Sequence, residues 1–327
     1  MKNTFFMVIL LLGVAATAAA NEPKNEFKPS GKVYGSAFTG FNVYALDGDN
    51  GDAEKSFTLD RLEIGYVYNY SENWLFKGCF DIGDPKDDSN LQHTAFARNA
   101  FAEYHNERLK VQFGMITGIS FNFIEKRWGY RYVEKCYQEY FGYSASRDIG
   151  ITGSYKVSDA ISVDAIISNG EGYKSKQKDL FLEYGIGATL KPLAGVWIRA
   201  YADMINGDSA TEDTYSFMMG YDFKNGSSIG GEYNTLRNQK MREGMNQSGY
   251  SFYGTLKCKK VKLYARYDFN NREELWNNGN DTNMVFLGAE FSPIKGIKIT
   301  PNYIHANHSL AANPSESYYR VSCEIKF

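Results

Sequence analysis

The chain has 327 residues, with 36 Lys plus Arg against 38 Asp plus Glu, a formal net charge of −2 and a mean hydropathy of −0.44. That balance excludes the basic surplus of a nucleic-acid-binding domain, and beyond residue 20 no stretch is long and apolar enough to be a transmembrane helix. Yet 16% of the residues are aromatic, with 25 Tyr and 22 Phe, which fits a membrane β-barrel, where only alternate residues meet lipid and aromatic girdles mark both interfaces.

Met1–Ala20 reads as a secretory signal: Lys2 is the positive region, Phe5 to Ala15 the short apolar core, and Ala18-Ala19-Ala20 the small-residue cleavage site. Residues 21–31 form a short polar periplasmic lead-in, and residues 32–327 the barrel domain. No second domain is expected. The four cysteines, Cys79, Cys136, Cys258 and Cys323, lack CxxC spacing and are expected as free thiols; no metal or other cofactor is expected.

From Lys32 onward, short alternating runs recur. They are Lys32–Leu46, Phe57–Tyr70, Trp74–Gly83, Ala95–His105, Leu109–Thr117, Ser146–Val157, Ala160–Asn169, Asp179–Lys191, Val196–Ile205, Thr214–Phe223, Ser228–Arg237, Ser248–Cys258, Val261–Asn270, Thr282–Phe291, Gly296–Ala306 and Ser317–Phe327. A strand sends successive side chains to opposite faces. In Val261–Asn270, Val261, Leu263, Ala265, Tyr267 and Phe269 oppose Lys262, Tyr264, Arg266 and Asp268; the closing run YYRVSCEIKF opposes Tyr319, Val321, Cys323, Ile325 and Phe327 to Arg320, Glu324 and Lys326. One apolar and one charged face suit a wall with lipid outside and water inside. Two features resist: Lys32–Leu46 alternates poorly, with Phe38 and Phe41 on opposite faces, and Pro301 falls where a closed sheet needs an N–H, which implies a bulge or a misplaced boundary.

The connections alternate between tight turns, such as Ser71–Asn73 and Lys259–Lys260, and longer polar loops, such as Asp84–Thr94 and Asn238–Gln247. Short periplasmic turns and long outer loops are the asymmetry of an outer-membrane barrel. The fold expected is therefore an all-β, transmembrane antiparallel barrel of about sixteen strands.

The third long loop, Gly118–Ala145, is the longest, and nine of its residues are Phe, Tyr or Trp. Exposed apolar patches of that kind are rarely left uncovered, and sixteen strands enclose a lumen too wide for wall side chains to fill. The loop is expected to fold into the pore and narrow it, with Trp128–Phe141 as a short helix. Charges at a constriction select permeants by sign: Lys126, Arg127, Arg131 and Lys135 are candidates for a cationic edge beside Glu125 and Glu134, with Arg61, Arg199, Arg266 and Arg320 along the wall. The alternative is that the loop cations pair with Glu125, Glu134 and Glu139 and only hold the loop in shape. Of the adjacent Arg147 and Asp148, alternation points Asp148 inward and leaves Arg147 at the rim. Inward acids and bases balance, so anion preference is not readable from wall composition.

Gly114 to Glu125 (GMITGISFNFIE), then Arg147-Asp148-Ile149-Gly150, then a strand ending Asn169-Gly170-Glu171-Gly172, resembles the middle of the phosphate-selective porin O/P family. The resemblance implies a sixteen-stranded, trimeric diffusion channel with phosphate or other anions as permeants. The family's arginine ladder is not recognisable here, so a general porin stands beside a phosphate-selective one.

Asp47-Gly48-Asp49-Asn50-Gly51-Asp52 fails the calcium-loop pattern, because its sixth and twelfth positions hold Asp52 and Thr58; a turn is the better reading. A hydrolase would need a Ser–His or Asp–His pair on the wall or rim, and none of His93, His105, His305 and His308 has an evident partner in the sequence. A receptor or adhesin would use the outer loops, where Trp276 is the one conspicuous anchor. The reading carried forward is a porin in the outer membrane of a Gram-negative bacterium, passing small hydrophilic solutes or anions passively. Its surroundings would be outer-membrane lipid and lipopolysaccharide, and its assembly a homotrimer, with no nucleic acid involved.

Overall fold

The computed structural model describes residues 27–46, 54–83, 92–177, 179–273, 281–310 and 313–327. The signal segment, the acidic turn Asp47–Asp52 and Trp276 lie outside them. Sixteen antiparallel strands close into one barrel, each paired with its neighbours in sequence and the first with the last. They are β1 (Ser30–Leu46), β2 (Glu54–Asn69), β3 (Trp74–Gly83), β4 (Thr94–His105), β5 (Leu109–Thr117), β6 (Arg147–Lys156), β7 (Ile161–Ser168), β8 (Glu183–Leu190), β9 (Val196–Ile205), β10 (Glu212–Asp222), β11 (Ser228–Arg237), β12 (Gln247–Cys258), β13 (Val261–Arg272), β14 (Thr282–Ile294), β15 (Ile297–His308) and β16 (Glu316–Lys326). Closure leaves no unpaired strand edge, which a sheet in hydrocarbon requires. The outward positions are large and apolar, among them Phe80, Phe113, Ile186, Phe252 and Leu287.

The strand register shifts at three places among the described residues, and the two shifts in the first four strands present charge to the lumen. Between β1 and β2 the pairing passes from Phe38↔Arg61 to Thr39↔Leu59, so Asp60 is an extra residue and stands beside Arg61 on the inner face. The first strand itself alternates without a break, paired continuously with β16 from Ser36↔Lys326 to Leu46↔Glu316; its uneven pattern arises because the inward Phe38 packs on Tyr132 of the segment between β5 and β6. Between β3 and β4 the pairing passes from Cys79↔Asn99 to Phe80↔Ala97, which leaves Arg98 as the extra residue. A bulge re-aims side chains, and Arg98 turns inward to pair with Glu63. Pro301 lies within β15, as read; the β14–β15 ladder is interrupted opposite it, passing from Gly288↔Asn302 to Phe291↔Ile299. The missing N–H therefore removes no ladder bond to β14.

The segment between β5 and β6 departs from the sequence expectation. The helix expected over Trp128–Phe141 forms only at the end of that range, and a longer one precedes it. Helix α1 covers Ile119–Trp128 and α2 covers Tyr137–Phe141. Gly129 ends α1 in a left-handed conformation, φ 75°, with its N–H bonded to the Glu125 carbonyl, a conformation cheap only for glycine. Gly142 ends α2 in the same way.

Candidate functional site

The segment 118–145 lies against the lumen face of one half of the barrel. Phe121, Ile124, Trp128, Tyr137 and Phe141 form one buried apolar cluster with Trp197, Met218, Leu236, Tyr253, Tyr264, Phe286 and Ile304, which come from β9 to β15. The Trp128 ring packs edge-on to Tyr264 at 5.6 Å and Phe286 at 6.2 Å. Polar contacts fix the register. The Tyr137 hydroxyl lies 2.9 Å from both the Phe269 carbonyl and Asn270 Oδ1, and the Tyr143 hydroxyl donates to Asn270 Oδ1 at 2.7 Å. Gln138 Nε2 donates to Asn234 Oδ1 at 2.9 Å, and Gln247 Nε2 to the Phe141 carbonyl at 2.9 Å. Gly249 permits the approach: a Cβ there would sit 2.2 Å from the Tyr137 hydroxyl and 2.1 Å from the Phe269 carbonyl.

Arg266, expected on the open wall, is sealed beneath this segment. Its Nε donates to Asp268 at 2.9 Å, Nη1 donates to the Lys135 carbonyl at 2.6 Å, and the guanidinium stacks 4.7 Å from Trp128. The reason is geometric: alternation reports which side chains point inward, and not which of them the loop then covers. Asp148 faces inward, on the strand face of Thr152 and Ser154, as alternation expects, and Arg147, expected at the rim, turns inward as well. Arg147 turns in from the first position of its strand, with Nε 3.2 Å from Asn99 Oδ1 and the guanidinium 5.5 Å from the Phe121 ring. Asp148 accepts the backbone N–H groups of Ile149 and Gly170 and is buried.

Two cavities of similar volume lie on opposite sides of the loop. The one toward the long-loop end, about 470 Å³, is lined by Arg61, Arg131, Lys135, Lys174 and Arg320 and by Asp60, Asp81, Glu134 and Glu139. Its charges are largely paired: Arg61 with Asp81 at 3.1 Å, Arg131 with Glu139 at 2.9 Å and Arg320 with Glu134 at 3.4 Å. Glu125 also lies 3.6 Å from Arg131. Burial works against both charges of the Arg131–Glu139 pair, but the pairing outweighs it. The guanidinium pKa is raised by Glu139 and Glu125, and the Glu139 carboxyl is held below its usual range by Arg131. The reading of the loop cations as structural thus fits Arg131.

The second cavity, about 450 Å³, opens toward the short turns and is lined by Lys110, Lys126, Arg127, Lys191 and Arg199, with Asp164 its one carboxylate. One face of α1 forms its floor: Ile119, Asn122, Phe123, Lys126 and Arg127 recur at helical spacing, while Phe121, Ile124 and Trp128 turn into the core. The wall gives alternate residues of β5 to β9, from Lys110 and Gln112 to Thr189, Lys191 and Arg199. Arg199 pairs with Asp164 at 2.7 and 2.8 Å, and Arg127 with Asp222. Lys110, Lys126 and Lys191 form no ion pair among the described residues. The Lys126 pKa is lowered, first by the enclosing wall and then by the like charges of Lys110 and Lys77.

Of the residues expected at the constriction, Lys126 and Arg127 face the short-turn cavity, Arg131, Lys135 and Glu134 face the other, and Glu125 supports Arg131. Of the wall arginines, Arg61 and Arg320 line the outer cavity and Arg199 the inner. Sequence reasoning missed Asp60 and Arg98, which only bulges bring inward. It also missed Lys110 and Lys191, which the alternation Leu109, Val111 against Lys110, Gln112 and the pair Thr189, Lys191 could have found. His305 has a partner that the sequence did not reveal: its Nδ1 lies 3.0 Å from Ser317 Oγ on the outward face. No carboxylate or amide side chain orients the His305 ring among the described residues.

Residues 7–322 match the family model described as Gram-negative porin. The chain belongs to that family. Solved structures agree in fold at low identity. Vibrio cholerae OmpT matches with TM-score 0.66 and 14% identity over 94% of this chain and 100% of its own. The Acinetobacter baumannii outer-membrane channel DcaP matches with TM-score 0.69 and 12% identity over 93% and 99%. Salmonella typhi OmpF, in complex with daunomycin, matches with TM-score 0.67 and 12% identity over 91% and 97%. No curated protein matches by sequence. The porin is a Gram-negative outer-membrane barrel, and its family and fold point to a channel.

Proposed function

We propose that this porin is a passive diffusion channel for small hydrophilic solutes with a preference for anions. The observation that carries the reading is the short-turn cavity, where five cations face one carboxylate and three lysines have no ion-pair partner among the described residues. Fixed charge at a narrowed pore attracts counter-ions and repels co-ions. The likeness of residues 114–125 and 147–150 to the phosphate-selective O/P family supports the same sign of selectivity. Vibrio cholerae OmpT has been solved in a trimer form, which supports a homotrimer here, set in outer-membrane lipid and lipopolysaccharide.

Single-channel recordings in planar bilayers, with reversal potentials in asymmetric KCl, test the reading. Anion selectivity is expected; cation selectivity would overturn the preference, and absence of conductance would overturn the channel. The hydrogen-bonded His305–Ser317 pair is the one observation favouring a hydrolase. A serine hydrolase also needs a group to orient the histidine, and none is in place among the described residues. Phospholipid turnover by the purified porin that disappears in Ser317→Ala would reinstate the enzyme reading.

A further inference from the structure

The short-turn cavity holds more than an excess of positive charge. Its volume of about 450 Å³ falls within the range of roughly 300–1,000 Å³ typical of small-molecule sites. Besides the cations it presents neutral hydrogen-bonding groups from several elements: Asn122 from α1, Ser154 from β6, and Ser162 from β7. None of these three side chains makes a hydrogen bond among the described residues. Ile119 and Phe123 add a small apolar flank on the same helix face.

Unpaired ammonium groups and free hydroxyl and amide groups ask for different things of a ligand. The lysines call for a compact anionic group, which they hold by charge-assisted hydrogen bonds. The serines and the asparagine call for neutral donors and acceptors spread over a body larger than a bare inorganic ion. We infer that the cavity formed by α1 and β5 to β9 is a binding site for hydroxylated organic anions, of which a sugar phosphate is the type. Lys110, Lys126 and Lys191 take the anionic group, and Asn122, Ser154 and Ser162 take the hydroxyls. The inference rests on the anion reading above and names the solute class of that same site.

Current block of the full-length porin in planar bilayers tests it, with glucose 6-phosphate, inorganic phosphate and glucose as probes on either side. Glucose 6-phosphate is expected to block at a lower concentration than inorganic phosphate, more readily from the short-turn side, while glucose has no effect. Lys126→Gln and Lys191→Gln are each expected to raise the half-blocking concentration of both anions by about tenfold, the cost of one lost hydrogen bond to a charged group. Asn122→Ala is expected to weaken the block by glucose 6-phosphate and leave that by inorganic phosphate unchanged. All three positions face water, and slow migration of the unheated barrel on gels checks that each variant has folded. Equal block by the two anions would overturn the hydroxyl recognition, and block by glucose 6-phosphate unaltered in the lysine variants would overturn the site. Loss of anion selectivity in KCl gradients, in contrast, would overturn the underlying function and is read in a separate measurement.

Discussion

The two cavities on either side of the inserted loop are nearly equal in volume, about 470 and 450 Å³, and differ in how their charges are compensated. On the long-loop side, arginines and carboxylates pair across the gap between loop and wall. On the short-turn side Lys110, Lys126 and Lys191 line the cavity with no ion pair among the described residues, and its carboxylate Asp164 is bound to Arg199. The difference follows from the elements that supply the residues. Two bulges bring Asp60 and Arg98 into the outer half as members of mixed-charge clusters. The inner half is built by regular alternation and one helix face, both of which repeat the same kind of residue. One loop thus separates a compensated chamber from a cationic one, and the proposed selectivity by sign belongs to the second.

The largest effect is expected from unseating the loop, which would merge the two chambers. Asp268→Ala leaves the Arg266 guanidinium buried without its carboxylate, beneath the segment it tethers through the Lys135 carbonyl. Breaking a buried pair by removing one partner costs about 3–5 kcal/mol. The variant is expected to melt at lower temperature, to conduct more per channel and to admit larger sugars in liposome swelling. Lower stability with unaltered conductance and cutoff would show that the aromatic cluster holds the loop alone.

A smaller effect sharpens the comparison without moving the loop. A unit charge about 10 Å from a permeating ion, in a water-like dielectric, contributes roughly 0.4 kcal/mol, favourable for an anion and unfavourable for a cation, or about fourfold in their permeability ratio. Lys110→Gln and Lys126→Gln are each expected to lower the chloride-to-potassium permeability ratio by about that factor, and the double variant by about sixteenfold. Reversal potentials in dilute KCl gradients, where screening is weak, measure it.

Barrel closure was legible because lipid and water impose opposite demands on alternate residues, so runs such as Val261–Asn270 print both faces in the sequence. The long loop was legible from its length and aromatic content. Its helix was misplaced because α1 carries apolar residues on both faces, Ile119 and Phe123 toward the cavity and Phe121 and Ile124 toward the core, and Gly118 supplies no side-chain cap. Asp60 and Arg98 were illegible because a bulge shifts register by one residue without a composition signal. Arg266 was read correctly as inward and incorrectly as open, since nothing local records that Trp128 covers it.

Alkaline pH offers a reversible version of the lysine substitutions. The Lys126 ammonium is held below the ordinary lysine value of 10.5, chiefly by the enclosing wall and then by Lys110. A cation with a lowered pKa loses its charge earlier as pH rises. Anion preference is therefore expected to weaken before the ordinary lysine range is reached, and Lys126→Gln is expected to abolish that early component. An identical pH profile in the variant would assign the titration to another group.

The smallest effect is expected on the compensated side, and its smallness is the test. Arg61→Gln alone leaves Asp81 with Arg98 as its remaining cation, at 3.9 Å, and shifts the outer chamber by one negative unit. Arg61→Gln combined with Asp81→Asn removes a cation and an anion 3.1 Å apart, a dipole whose field at the pore axis falls off faster than that of either charge. Seen from several ångströms the two contributions nearly cancel. The double variant is expected to keep the parental reversal potential, where the two inner lysine substitutions move it. A shift as large as that of Lys110→Gln would mean that the outer pairs act as separate charges and that both chambers select.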